Sequence, residues 1–335
     1  MLGKPKGAGY KAPDLMKILF ITATRIGDAV LSTGLLSHLL ERHPGARVTV
    51  AAGPLAAPLF EGVPGLERVI VVDKRTRSLH WWTLYRKVAL HRWDLAVDLR
   101  GSALAYFLWT GGRRVAGRSD PSEHRVRELG RLFDLDPPPS PRLCTLPRHE
   151  SAAAALIPPG PPVLAIGPAA NWRAKTWRAE RFAELARRLT SASGLLAGAR
   201  VAVMAAAHEG EQAAPLLAAI PAERRLDLVG RTDLLTAAAA LRRAALYVGN
   251  DTGLTHVAAA VGTPTLALFG PSPAERFAPW GSRAAVVQTP LTPAQLMSSP
   301  DFHYLTADTL MDSLEVEAVE AAARKLLQRL AGAAA

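Results

Sequence analysis

The chain has 335 residues, 49% of them hydrophobic, and a formal net charge of +11. This length and apolar content suit two domains with separate cores, and no run of roughly 20 apolar residues predicts a transmembrane helix. The single cysteine, Cys144, excludes an internal disulfide and fits a reducing compartment. The basic N-terminus has no apolar stretch typical of a signal peptide. We therefore expect a cytoplasmic protein.

The excess of Lys and Arg calls for an anionic partner or a solvated face, because such residues attract nucleic acids, anionic membranes and phosphorylated substrates alike. Basic residues are densest at 73–87, 90–93 and 111–118. The chain has no helix-turn-helix, zinc-finger spacing or RNP-like aromatic signature, so we do not expect nucleic acid as a partner. A solvated basic face and a site for an anionic acceptor or membrane both stay open.

Short apolar strands alternate with helical segments along the chain, which predicts parallel β–α–β units and an α/β protein. In chain order the first half reads KILFITA, AVLSTGLLSHLLERH, RVTVAAG, VIVVD, LAVDLRG and RRVAG, and the alternation restarts at VLAIGPA. Proline-rich sequence separates the two halves. We predict a flexible basic tail at 1–15, domains at 16–150 and 163–335, and a linker at 151–162.

The stretch ILFITATRIGDAVLSTG puts the carboxylate of Asp28 where the first strand gives way to a helix. Open α/β sheets bind ligands at this edge. The three glycines of a dinucleotide fingerprint are missing, since Gly27 and Gly34 stand alone, and there is no Walker A sequence. Asp28 is a candidate catalytic residue, and the alternative is that it caps the following helix.

A second informative stretch is LYVGNDTGLTHVAAAVGTPTLALFGP, residues 246–271, in which a strand ends at Asp251 and a helix begins at Thr252. Free backbone N–H groups at such a turn form an anion site suited to a diphosphate. His256 lies one turn further along the helix. The alternative is an aspartate N-cap followed by a buried helix whose histidine belongs to the core.

The sequence resembles glycosyltransferase family 9, the heptosyltransferases of lipopolysaccharide inner-core synthesis. The resemblance rests on RIGDAVLSTGLLSHLLERHPGARVTV, on GPAANWRAKTWRAERFAELARRL at 167–189, and on GNDTGLTHVAAAVGTPTLALFGPSPAERFAPWG at 249–281. It implies the GT-B fold, in which two Rossmann-like domains face each other across a cleft. It also implies transfer of a sugar, typically from ADP-L-glycero-D-manno-heptose, with inversion and without a metal or other cofactor.

The resemblance also implies roles for residues that match the family's motifs. Asp28 would be the general base, and Lys175 would offset the charge of the departing diphosphate. Glu209 looks like the ligand of the nucleotide ribose, and Thr232 falls at an adenine-side position where some members have methionine. The other donor-side residues would be Gly27, Asn171, Asp251, Thr252, Gly253, Leu254 and His256.

The acceptor implied by the resemblance is a phosphorylated lipid A–Kdo glycolipid. We expect arginine and lysine side chains of the first domain to bind its phosphates, namely Lys74, Arg75, Arg77, Arg113, Arg114 and Arg118. The segment 79–93 either lies as an interfacial helix on an anionic membrane or packs its apolar face against the sheet. A lipid-linked acceptor would bring the enzyme to the inner face of the cytoplasmic membrane as a peripheral protein.

Two other functions stay open at this point. The chain could be a family member that uses another nucleotide sugar on a different cell-surface glycan, because the phosphate site would be the same. It could also be a nucleotide-sugar epimerase or a non-catalytic binder on the same fold, which would need no base beside an acceptor groove.

Overall fold

A computed structural model describes residues 15–73, 79–298, 302–303 and 306–333. Within these residues the strands form two parallel sheets. The first sheet contains β1 (Lys17–Ile21), β2 (Arg47–Ala52), β3 (Leu66–Val71), β4 (Trp93–Asp98) and β5 (Thr110–Val115). The second contains β6 (Val163–Gly167), β7 (Arg200–Val203), β8 (Arg225–Asp227), β9 (Leu246–Asn250), β10 (Thr265–Phe269) and β11 (Ala284–Gln288).

The strand order is β3-β2-β1-β4-β5 in the first sheet and β8-β7-β6-β9-β10-β11 in the second. Both sheets are doubly wound, since the chain starts in the middle and proceeds first to one side and then to the other. The order reverses between β1 and β4 and again between β6 and β9. Ligands of such sheets bind outside the carboxyl ends of the strands at these switch points.

Helices cover both faces of each sheet, as parallel sheets require. The first half has α1 (Ile26–Arg42), α2 (Leu79–Val88) and α3 (Arg125–Arg131), and α4 (Pro147–Leu156) leads into the second half. The second half has α5 (Ala179–Thr190), α6 (Gly210–Ala219), α7 (Leu234–Leu241), α8 (Gly253–Ala260), α9 (Ala274–Phe277), α10 (Pro293–Leu296) and α11 (Val316–Gly332).

One continuous apolar core runs between the two sheets. It includes buried side chains of β1, β2 and α1 from the first half and of α7, α8 and β6 from the second. Helix α1 packs directly against α8. Because α1 follows β1 and α8 follows β9, this contact brings the two switch points together.

The linker predicted at 151–162 is helical in its first half, because α4 extends to Leu156 and packs against α7. The surrounding prolines suggested an irregular segment. Pro147, however, stands in the first turn of α4, where a missing N–H costs nothing, and the alanine run that follows favours a helix. The domain boundaries at 150 and 163 stay a prediction.

Helix α2 contains most of the segment 79–93. Leu84 and Val88 are buried in a cluster that also contains Trp93 and residues of β1 and β4. Trp93 is fixed there, since its indole N–H donates to the carbonyl oxygen of Val88 at 3.0 Å. This face of the segment therefore packs against the sheet, the second of the two alternatives drawn from the sequence.

Candidate active site

Asp28 lies in the first turn of α1, just beyond the carboxyl end of β1. The helix begins at Ile26 with Arg25 as its N-cap, and no side chain caps it, so the capping role considered for Asp28 is wrong. The Asp28 side chain is half-buried. Within the described residues no hydrogen-bond or ion-pair partner occupies its carboxylate, which leaves the group open to a ligand.

Two glycines allow the N-termini of α1 and α8 to touch. A Cβ atom on Gly27 would lie 2.9 Å from Cδ2 of His256, and one on Gly253 would lie 2.6 Å from Cγ2 of Ile26. Neither spacing is tolerated between real carbon atoms, so any larger residue would push the helices apart. The contact brings Asp28 next to the G-N-D-T-G motif of the second sheet.

Lys175, Asp251 and His256 form the charged centre on the other side of this contact. The Lys175 ammonium donates to Oδ2 of Asp251 at 2.6 Å, and Nε2 of His256 lies 3.9 Å from Oδ1 of the same carboxylate. The Lys175 side chain is 22% exposed and that of Asp251 is 9% exposed. An ammonium has three N–H donors, so Lys175 can hold Asp251 and still contact an anionic ligand.

His256 is buried. Burial lowers the pKa of its imidazole, and the nearby carboxylates of Asp251 and Asp28 oppose that shift only in part. Its Nδ1 atom has no hydrogen-bond partner in the described part of the chain. A buried polar atom without a partner is costly, and here the protein itself covers Nδ1.

Asn250 positions the loop that carries Lys175. Its amide Oδ1 accepts from the backbone N–H of Trp177 at 3.0 Å, and its Nδ2 donates to the carbonyl oxygen of Pro168 at 2.7 Å. Asn250 is fully buried at the end of β9. Sequence reasoning did not assign it a role, although it stands inside the motif that suggested the site.

The remaining donor-side residues follow the carboxyl ends of strands in the second sheet. Thr252 is the N-cap of α8 and its side chain makes no capping hydrogen bond, so the first-turn N–H groups of Gly253 and Leu254 stay open to a ligand. Asn171 is exposed on the loop after β6, and Thr232 is half-buried before α7. Glu209 accepts from the backbone N–H of Ala206 at 2.9 Å, which leaves one of its oxygens available.

The described members of the predicted acceptor-binding set do not form one cluster. Lys74, Arg75 and Arg77 lie outside the described residues. Arg113 and Arg114 are consecutive in the edge strand β5 and point to opposite faces, where their guanidinium groups stack on Tyr106 and Phe133. Arg118 borders a small surface cavity together with Arg125 and Arg131. Of the described three, Arg118 is the one that lies beyond the carboxyl end of β5.

Arg100 is a further cation at this edge that sequence reasoning missed. Its loop follows β4, which neighbours β1 at the switch point. The buried carboxylate of Asp98 shapes this loop by accepting from the backbone N–H groups of Arg100 at 2.9 Å and Ser102 at 3.0 Å. The Arg100 guanidinium stacks on the Trp81 ring at 4.6 Å, an arrangement that leaves its in-plane N–H donors free.

A second contact between the two halves is polar. Arg276 of α9 donates to the carboxylate of Glu128 in α3 at 3.0 Å, and both side chains are 11% exposed. The same guanidinium also donates to the carbonyl oxygens of Asp120 and Glu123 and to the Ser119 hydroxyl. Beside it, His124 hydrogen-bonds the carbonyl oxygen of Ala278 at 3.0 Å and stacks on Trp280.

The described residues contain no group of three or more His, Cys, Asp or Glu side chains arranged to hold a metal ion. In the same part of the chain, every helix is too short or too polar to cross a lipid bilayer.

The profile of "Glycosyltransferase family 9 (heptosyltransferase)" matches residues 67–304 of this sequence. The chain belongs to glycosyltransferase family 9. It is therefore a glycosyltransferase, as the sequence motifs predicted. It is 25% identical to lipooligosaccharide heptosyltransferase 2 of Haemophilus influenzae over 82% of this chain and 88% of that protein. It is 28% identical to lipopolysaccharide heptosyltransferase 1 of Pseudomonas aeruginosa over 77% and 79%.

Solved structures confirm the GT-B fold of this glycosyltransferase. A family 9 glycosyltransferase from Veillonella parvula is similar with a TM-score of 0.75 and 21% identity, over 94% of this chain and 98% of that one. The ADP-heptose lipopolysaccharide heptosyltransferase II of Escherichia coli gives a TM-score of 0.69 and 24% identity, over 94% and 99%.

Proposed function

We propose that this glycosyltransferase moves a heptose from ADP-L-glycero-D-manno-heptose to a lipopolysaccharide inner-core acceptor of the lipid A–Kdo type. The names of its curated relatives support the heptose and the acceptor class. The observation that carries the mechanism is the contact of α1 with α8, because it puts an open carboxylate beside a fixed cation and a free helix N-terminus.

In the proposed reaction Asp28 acts as the general base. It takes the proton of the acceptor hydroxyl while that oxygen forms a bond to the anomeric carbon of the donor sugar. The bond from this carbon to the diphosphate oxygen breaks, and its electron pair leaves with ADP. Attack from the side opposite the leaving group inverts the anomeric centre.

The leaving diphosphate gains negative charge as this bond breaks. Lys175 lies ready to offset it, since Asp251 already holds the ammonium in place, and the first-turn N–H groups of α8 point toward the same region. These fixed charges do the work for which other transferases use a divalent cation, so we propose a metal-independent reaction. His256 would support the donor side of this centre through its contact with Asp251, since its Nε2 lies 3.9 Å from Oδ1 of that carboxylate.

The acceptor side is the first domain. Arg100 and Arg118 would bind its phosphates, because both lie beyond the carboxyl ends of strands in the first sheet and carry guanidinium donors without a hydrogen-bond partner in the described residues. An acceptor of this class is anchored in a bilayer, so the proposal includes peripheral contact of the enzyme with the inner face of the cytoplasmic membrane.

The decisive experiment replaces Asp28 by Asn. We expect kcat to fall by about 10²–10⁴-fold, the usual contribution of a positioned base, while the dissociation constant for ADP-heptose stays within about twofold because the donor contacts are unchanged. Stopped assays of ADP release and calorimetric titration of the donor measure the two quantities. Full activity of Asp28→Asn would refute the assignment of Asp28 as the general base. If a UDP-, GDP- or dTDP-sugar binds the unaltered enzyme more tightly than ADP-heptose does, that sugar nucleotide is the donor instead.

A further inference from the structure

Three exposed aromatic side chains follow one another where the chain passes from β4 to β5. Tyr106 is 59% exposed, Phe107 70% and Trp109 67%. Between them Leu108 is buried, and Leu104 one turn earlier is buried in the same cluster. These two leucines anchor the segment to the sheet, so the aromatic rings are held outward by its conformation. A contiguous patch of large exposed apolar side chains is typical of a surface that binds a partner.

A neighbouring segment extends this surface. The backbone N–H of Trp93 donates to the carbonyl oxygen of Trp109 at 2.9 Å, which places residues 90–92 beside the aromatic rings. Leu90 is 94% exposed. Arg92 lies 5.7 Å from the centre of the Trp109 ring, and Arg113 lies 5.6 Å from that of Tyr106. We call this surface the aromatic edge, and its members are Leu90, Arg92, Tyr106, Phe107, Trp109 and Arg113.

Both charged side chains of the aromatic edge are arginines, Arg92 and Arg113. The segments 79–93 and 99–119 contain no Asp or Glu, and they contain seven Lys or Arg residues: Arg86, Lys87, Arg92, Arg100, Arg113, Arg114 and Arg118. The nearest acidic residue in sequence is Asp94, whose carboxylate accepts from the backbone N–H of Lys17 at 2.8 Å. The aromatic edge therefore presents apolar rings in contact with two arginines, in a part of the sequence that is rich in Lys and Arg.

We propose that the aromatic edge binds the surface of an anionic phospholipid bilayer. Trp and Tyr favour the boundary between lipid headgroups and acyl chains, where their apolar rings are buried and their polar atoms stay hydrated. Arginines beside them contact lipid phosphates with their charged ends while their stems lie along the rings. The choice of a bilayer rests on the proposed function, whose acceptor is lipid-linked.

A second copy of this chain is the competing occupant, because β5 is an edge strand. In a symmetric dimer the same patch faces itself. Arg92 and Arg113 of the aromatic edge would then face the same two arginines of the other copy. Like charges at such an interface are unfavourable, whereas an anionic bilayer complements them.

The test uses the full chain and vesicles without acceptor or donor. We expect it to co-sediment with vesicles of 30% phosphatidylglycerol in phosphatidylcholine, and weakly with phosphatidylcholine alone. Phe107→Ser/Trp109→Ser should lower the partition coefficient on the anionic vesicles by about tenfold or more, since two apolar rings are lost. Arg92→Gln/Arg113→Gln should lower it by roughly tenfold at low salt and less at high salt.

Leu55→Ser is the matched control, because Leu55 lies in the same domain, is also 67% exposed and is outside the aromatic edge. It should bind vesicles as the unaltered chain does. Circular dichroism and urea unfolding should be unchanged in Phe107→Ser/Trp109→Ser, since both side chains are already exposed. With a detergent-dispersed acceptor this double variant should keep its kcat, and with vesicle-embedded acceptor its KM should rise.

Three results would overturn the proposal. The first is that the unaltered chain does not bind anionic vesicles at low salt. The second is that the double variant binds them normally. The third is that light scattering detects a dimer that the double variant abolishes, which would assign the aromatic edge to a second copy. None of these results affects the Asp28→Asn experiment, and vesicle binding that persists in an enzyme without heptose transfer would refute only the proposed function.

Discussion

The second sheet holds the charged side chains of its switch point in mutual contacts, whereas the first sheet leaves its own open. Lys175 pairs with Asp251, and Asn250 ties the loop of Lys175 to the end of β9. Across the cleft, Asp28 has no such partner among the described residues, and Arg100 contacts only an aromatic ring through its guanidinium.

The difference fits the two substrates that we propose. A diphosphate presents the same charge to the enzyme at every turnover, so a cation fixed in advance loses little entropy when the donor binds. A base that must receive a proton from the acceptor is most effective when no other hydrogen bond competes for its oxygens. The comparison therefore predicts that substitutions at the switch point of the second sheet change donor binding and stability together. Substitutions at the switch point of the first sheet should change catalysis and acceptor binding alone.

The largest effect expected on the donor side is that of Lys175→Ala. Removal of one fixed cation from a leaving group costs about 10²–10³-fold in kcat/KM, and donor affinity should fall as well because the same ammonium contacts the diphosphate before the reaction. Steady-state kinetics and donor titration measure both. Arg173→Ala is the matched control, since Arg173 is in the same turn but pairs with Asp308 on the surface, and it should change neither quantity by more than about twofold.

The same assay tests the metal-independent mechanism. Activity of the unaltered enzyme should survive excess EDTA. Loss of activity on chelation and its recovery with Mg²⁺ would show that Lys175 does not act alone on the diphosphate.

Asn250→Ala should affect stability and function at once. It leaves the N–H of Trp177 and the carbonyl of Pro168 without partners, and each such buried group costs about 1–3 kcal/mol. We expect a decrease of about 2–4 kcal/mol in the free energy of unfolding, measured with urea, together with weaker donor binding. Asn171→Ala is the comparison on the same loop, because that side chain is exposed, and it should lower donor affinity without changing stability. Equal stability of the two variants would contradict the role given to Asn250.

On the first sheet, Arg100→Ala should raise the acceptor KM by about tenfold, the value of one charge-assisted hydrogen bond, and leave the donor dissociation constant unchanged. Raising ionic strength should act in the same direction on the unaltered enzyme and affect the acceptor more than the donor. Arg113→Ala, assayed with detergent-dispersed acceptor, sharpens the comparison, because Arg113 stacks on Tyr106 in the aromatic edge. A larger effect from Arg113 than from Arg100 would put the acceptor elsewhere.

The smallest effect concerns pH and the polar contact between the halves. Burial lowers the pKa of His124, the hydrogen bond to the carbonyl oxygen of Ala278 opposes this shift in part, and the positive charges of Arg127 and Arg276 lower the pKa further. The unfolded chain therefore takes up a proton before the folded one does as the pH falls below about 6.5, and the free energy of unfolding decreases by up to about 1.4 kcal/mol per pH unit for this group. His256, whose pKa is also lowered by burial, acts in the same direction.

Urea unfolding between pH 5 and 7.5 measures this dependence. His124→Phe should reduce the slope, and His208→Phe, at an exposed position, should leave it as it is. An unchanged slope in His124→Phe would mean that burial of His124 between the two halves does not lower the pKa of its imidazole.

Much of the fold follows from local sequence patterns. Each apolar run identified above as a strand, from KILFITA to VLAIGPA, overlaps a strand of the structure, because runs of this length and composition are stable only when both faces are covered. The prolines of 135–162 were less informative. Proline in the first turn of a helix is favourable, and so a proline-rich stretch could still contain α4.

The sequence by itself determined the two motifs and therefore the residue types of the site, since Asp28 and the G-N-D-T-G turn follow strands and must lie at the carboxyl edges of their sheets. Only the tertiary structure decided which side chains meet there. The pairing of Lys175 with Asp251 joins residues from different loops, Arg100 reaches the site because β4 neighbours β1, and the aromatic edge forms because two buried leucines turn three rings outward. Such contacts depend on strand order and packing between distant segments, and a pattern read along one segment does not contain that information.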